Sequence, residues 1–128
     1  MNFAIGAHAA LEWLPQETIV FKGADAQMRS VVHLAERSVY IGWEILCLGR
    51  QASGEQFSQG CLRFNTELWK LGERLWVEQA RLAGGDALLH SPIGLAGQTV
   101  CATLIAAGCE IDNATLAACR EVAREGVI

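Results

Sequence analysis

Four glutamates stand where their neighbours make a carboxylate chemically interesting. Glu12 and Glu17 flank Pro15 in the apolar run 11–21, and Glu44 is the single charge in the apolar stretch 38–48. Glu55 closes a polar segment that opens at Arg50. Carboxylates serve as acid and base when two share a cleft and their pKa values are driven apart. They are also hard oxygen ligands for cations. Each has an ordinary reading beside the chemical one. Glu12 and Glu17 can face solvent, since Glu is almost never fully buried unpaired. Glu44, if buried, needs a partner such as Arg29 or Arg50, or a raised pKa. Arg50 and Glu55 can form a solvated ion pair that stabilises little. On residue types alone both sets of readings stay open.

Other chemistries find less support. The histidines at 8, 33 and 90 are widely spaced, and His90, the one in a loop, has no neighbouring Ser or Cys to complete a triad. The five cysteines (47, 61, 101, 109 and 119) are an odd number, with no pair at zinc-site spacing. They read as reduced structural residues. There is no phosphate-binding loop, metalloprotease helix or nucleophile elbow. No residue is assigned a catalytic role and no tightly bound cofactor is expected.

The elements that must position the glutamates follow from periodicity. Strands are expected at 7–14 and 17–21, hinged at Pro15, which donates no ladder hydrogen bond. Residues 22–25 read as a turn. In 27–34, Met28, Ser30, Val32 and Leu34 share one face, and Gln27, Arg29, Val31 and His33 share a wetter one. Both faces of 38–48 are apolar, which predicts a central strand covered on both sides. Segment 49–60 reads as a loop or short helical turn.

Residues 61–71 and 74–82 then form a hairpin around Gly72. Leu62, Phe64, Thr66 and Leu68 are expected on one face together with Leu75 and Val77, leaving Trp69 and Trp76 to pair across the strands. Residues 84–97 are irregular and 99–107 a strand. Asp112 or Asn113 caps a helix to about residue 124, with an apolar stripe of Leu116, Cys119 and Val122-Ala123 and a stop at Gly126. The expected fold is mainly β, with antiparallel or β-helix-like strands and one C-terminal α-helix over about 112–124.

At 128 residues there is room for one domain. A net charge of −4 argues against a nucleic-acid surface. No run approaches the roughly 20 apolar residues of a membrane span. Residues 1–10 lack the basic flank of a secretory signal, which points to the cytoplasm.

The run Leu11-Glu12-Trp13-Leu14-Pro15-Gln16-Glu17-Thr18-Ile19-Val20-Phe21, followed by Gly23-Ala24, resembles the signature of the urease accessory protein UreD (UreH) family. Further matches come in order: Gly42-Trp43-Glu44, Leu48-Gly49-Arg50, Ala52-Ser53-Gly54-Glu55, Phe57, Gly60, Ser91-Pro92 and Gly94-Leu95. The family usually carries an acidic residue where Lys22 stands. The resemblance implies a single partial domain matching the middle and early C-terminal part of a longer protein. It also implies a scaffold for nickel insertion into the urease apoenzyme, working with UreF and the GTPase UreG, and no enzyme. Glu12, Glu17, Glu44 and Glu55 become candidates for transient nickel contacts. Two other readings remain: a carboxylate enzyme built on Glu12, Glu44 and Glu55, and a non-functional remnant. An interior piece of a larger sheet would expose strand edges, which invite aggregation.

Overall fold

The computed structural model describes residues 1–125. In chain order the strands are β1 (Asn2–Ile5), β2 (Ala10–Trp13), β3 (Thr18–Val20), β4 (Asp25–Leu34), β5 (Val39–Leu48), β6 (Cys61–Lys70), β7 (Glu73–Ala83) and β8 (Val100–Ala107). The helix α1 (Asn113–Glu125) follows. The fold is mainly β with one C-terminal helix, as expected, and its pairing is mixed. Gly126, the expected helix stop, and the side chain of Ala123 lie outside the described residues.

The first sheet runs β1-β4-β6-β7. In the second, β5 carries β2 and β3 along one edge and β8 along the other. From β1 to β6 the chain alternates between sheets, and each return pairs in parallel with the strand before it: β4 beside β1, β5 beside β2 and β3, β6 beside β4. That is a coil of the β-helix kind. The β6–β7 hairpin and the β5–β8 pair are antiparallel.

β2 and β3 are one interrupted edge strand. Pro15 lies in the gap and cannot donate to the ladder, while its carbonyl accepts the Trp43 indole N–H at 2.8 Å. The hinge expected at Pro15 is therefore present and fastened to β5. The first strand is shorter than expected, because the chain turns at His8, whose φ is 59°. β1 had no counterpart in the sequence reading.

Two apolar clusters form between the sheets. One joins Val20, Leu46 and Leu48 to Leu62 and Leu82, and the other joins Tyr40 to Ile5, Val32, Leu34 and Leu68. β4 alternates as expected, with Met28, Ser30, Val32 and Leu34 inward, except that Val31, expected on the wetter face, is buried as well. β5 is central but not covered on both sides. Its inner face, Tyr40, Gly42, Leu46 and Leu48, is buried, whereas Trp43 on the outer face is exposed. Expected burial failed there because two layers leave each sheet one open face.

The hairpin holds a second correction. Its turn, Leu71-Gly72, has φ of 50° and 87°, the positive pair of a type I′ connection. The strands start in simple register, Lys70 opposite Glu73 and Trp69 opposite Arg74. The next pair is Leu68 opposite Trp76, so Leu75 is an extra residue in a β-bulge. A one-residue slip moves every later side chain to the other face. Leu75 and Val77 are consequently exposed, not packed with Leu68. Trp69 and Trp76 do not pair; Trp69 stacks on His33, 6.2 Å between ring centroids.

Candidate functional site

The bulge decides what faces the interior. Beyond it, Thr66 lies opposite Glu78, and Ser30 opposite Thr66, so Ser30, Thr66 and Glu78 form a row across the first sheet. On the second sheet Glu44 lies opposite Thr103. All five side chains line one cavity of about 360 Å³ between the sheets. The rest of its wall is mainly apolar, including Met28, Leu46, Phe64 and Cys101. A polar belt with two carboxylates thus lies inside a sandwich that is otherwise hydrophobic.

Hydrogen bonds hold the belt in place. The Thr103 hydroxyl donates to Glu78 Oε1 at 3.0 Å, linking the two sheets. The Thr18 hydroxyl donates to Glu44 Oε1 at 3.2 Å. Burial raises the Glu44 carboxyl above its ordinary range, and the Thr18 hydrogen bond opposes that shift without cancelling it. Burial also raises the Tyr40 phenol, and the Glu44 charge adds to this. Gly42 is required by the same neighbourhood: a Cβ there would fall 2.1 Å from the Tyr40 hydroxyl. The Cys101 thiol is pushed up by burial first, then by the charge of Glu78.

The four predicted glutamates are not brought together. Glu44 alone reaches the cavity, and it is half-buried and bonded to Thr18. Neither expected arginine partners it, since Arg29 pairs with Glu67 and Arg50 with Glu55. Glu12 and Glu17 are exposed. Glu55 anchors a surface knot: it receives Arg50 Nη2 at 2.8 Å and the Lys22 backbone N–H at 3.1 Å. The Arg50 hydrogen bond, first among several, holds its carboxyl below the ordinary range. Arg50 also lies over the Phe21 ring, 4.9 Å from its centroid. Gly49, φ 81°, is confined here, because a Cβ would meet the Glu55 carbonyl oxygen at 2.4 Å. The Arg50–Glu55 connection is a surface ion pair around a short 3₁₀ turn, Gln51–Ser53.

Sequence reasoning missed Glu78, Thr103, Thr66, Ser30 and Thr18 as a group. The separation of Glu12 and Glu55 from Glu44 also removes the carboxylate set proposed for an enzyme. Among the described residues no group of three or more His, Cys, Asp or Glu side chains is arranged to hold a metal ion. The five cysteines are free; Cys61 is buried, Cys47 and Cys101 half-buried, and Cys109 and Cys119 exposed. Exposure of the last two departs from the structural role expected of them. His90 is exposed and lines a smaller cavity of about 160 Å³ with Gln51 and Gln56. No helix among the described residues is long and apolar enough to cross a membrane.

Fold and site together define a two-sheet, β-helix-like protein with an acidic belt in its interior. The family model for the UreD urease accessory protein matches residues 1–127. The chain is 47% identical over 123 residues to the urease accessory protein UreD of Pseudomonas fluorescens, an alignment covering 96% of this chain and 44% of that protein. Against the UreD of a Janthinobacterium species it is 50% identical over 121 residues, 94% of this chain and 41% of the relative. Against that of an Azoarcus species the identity is 46% over 124 residues. The chain belongs to the UreD urease accessory protein family, and it spans less than half the length of these relatives.

Proposed function

We propose that this chain acts in urease maturation as part of a non-catalytic scaffold, with UreF, UreG and the urease apoenzyme as partners and the cytoplasm as its compartment. In this reading it passes nickel on and does not store it. The observation that carries the proposal is the belt of Glu44 and Glu78 in the intersheet cavity. Stable Ni(II) sites usually recruit imidazole or thiolate as well as carboxylate. Two carboxylates among hydroxyls offer weaker oxygen contacts, and an ion held weakly can be handed on. Glu44 and Glu78 take the place of the four-glutamate set, because Glu12, Glu17 and Glu55 lie outside the cavity.

Calorimetric titration of nickel into the chain tests this. The expected result is weak binding, with Kd above about 1 μM, reduced further in a Glu44→Gln, Glu78→Gln double variant. Tight one-to-one binding would contradict a transient passage. Weak binding indifferent to the double variant would remove the belt from the pathway.

A further inference from the structure

The outer face of the second sheet is apolar across adjacent strands. Ile41, Trp43 and Ile45 of β5 lie opposite Ala106, Leu104 and Ala102 of β8, and Leu104 is 64% exposed. Six such residues carry no charge among them. An apolar sheet face of this breadth calls for a cover.

A matching surface stands at the end of the same chain. In α1, Leu116, Cys119 and Val122 recur every third residue, which places them on one side of the helix. That side is open to solvent: every residue from 108 to 122 is exposed, Leu116 to 37% and Val122 to 70%. The helix is nonetheless well started, since Asp112 accepts the Thr115 backbone N–H at 2.7 Å. It is thus a formed amphipathic helix lacking the packing that gives most helices their stability.

We propose that α1 is a strap for this face, docking on β5 and β8 of its own chain. The connection favours it. Gly108, φ 85°, ends β8 and is packed so closely on the Ser38 carbonyl that a Cβ would overlap it. The chain therefore leaves β8 beside the start of β5, and residues 108–112 are the whole tether. Running back antiparallel to β8, α1 lays Leu116 near Ile41 and Ala106, Cys119 near Trp43 and Leu104, and Val122 near Ile45 and Ala102. Leu116 to Val122 spans about 9 Å along a helix, within the roughly 13 Å from Ala106 to Ala102 along a strand. The two alanines leave room on either side of Leu104 for the helix residues. Any other protein that uses this face must first displace α1.

Cross-linking decides it. A Leu104→Cys variant of the chain, kept dilute and treated with a mild oxidant, is expected to form an intrachain disulfide with the native Cys119, located by peptide mapping. Adding Leu116→Asp places a charge in the docked stripe and should slow that link about tenfold. Leu104 and Leu116 are both exposed, so neither change threatens the fold. A link between two chains would assign the face to a second copy and overturn the strap. Absence of a 104–119 link, or a rate unaffected by Leu116→Asp, would overturn it as well.

Discussion

Glu44 occupies a position whose cost is set by water. Its carboxylate is half-buried, it accepts a hydrogen bond from the neutral Thr18 hydroxyl, and burial raises its pKa. A raised folded-state pKa means that the fold prefers the protonated form. The contribution is fully present below the ordinary Glu range and is lost as pH rises through the raised value. At neutral pH the ionised carboxylate therefore works against stability. Glu44→Gln keeps the shape and an acceptor for Thr18 while removing the charge. We expect it to leave stability unchanged or raise it by less than about 1 kcal/mol at pH 7.5, the half-exposed site being partly screened. The gain should vanish below the ordinary Glu range. Urea midpoints of both proteins at the two pH values check this, and a clear loss at pH 7.5 would mean an ionic partner had been missed.

At the scale of elements, the β6–β7 hairpin contributes most to the interior. Its I′ turn aligns the strands, and the bulge at Leu75 then turns Glu78 toward the cavity. The turn is imperfect, because Leu71 holds φ at 50° with an apolar side chain that is 69% exposed. Asn tolerates that region far better than Leu. Leu71→Asn should stabilise the protein by about 1 kcal/mol, visible as a higher denaturant midpoint with an unchanged slope. A lower midpoint would indicate that Leu71 packs in a way the exposed turn does not suggest. The pairing of Trp43 with the Pro15 carbonyl is a parallel device on the second sheet: it anchors the gap from which β3 restarts and presents Thr18 to Glu44.

For the whole molecule, the two-sheet coil leaves its outermost strands unequal. β7 ends the first sheet and carries charged residues such as Glu73, Arg74 and Arg81. Interspersed charge is a common defence of an edge. β8 ends the second sheet with Val100, Ala102, Leu104 and Ala106 outward, and nothing charged within the strand. Unpaired backbone groups beside apolar side chains are a template for another strand. We expect the chain to self-associate through the backbone edge of β8, which a helix lying on the outer face of the sheet leaves open, with rising concentration in light scattering coupled to size exclusion, and Val100→Lys to weaken that association. A monomer at all concentrations with a cooperative melt would contradict this.

Motif and periodicity determined the family, the predominance of β-structure, the hinge at Pro15, the alternation of β4 apart from Val31, and a helix start at Asp112 or Asn113. All of these are local: they depend on residue type and on spacing along a single strand or turn. The signature residues were legible for a related reason, since Gly42 and Gly49 sit where a Cβ would be crowded and Trp43 donates to the Pro15 carbonyl. What tertiary structure alone decided was which charges meet. Glu12, Glu44 and Glu55 look alike in sequence, yet only Glu44 turns inward, and its companion is Glu78 from a strand assigned the opposite face. That assignment failed on one residue. The simple hairpin register directs Val77 inward, and a single bulge at Leu75 exchanges it for Glu78. Bulges arise from the fit of one strand against the rest of the sandwich, and a strand read by itself carries no record of that fit.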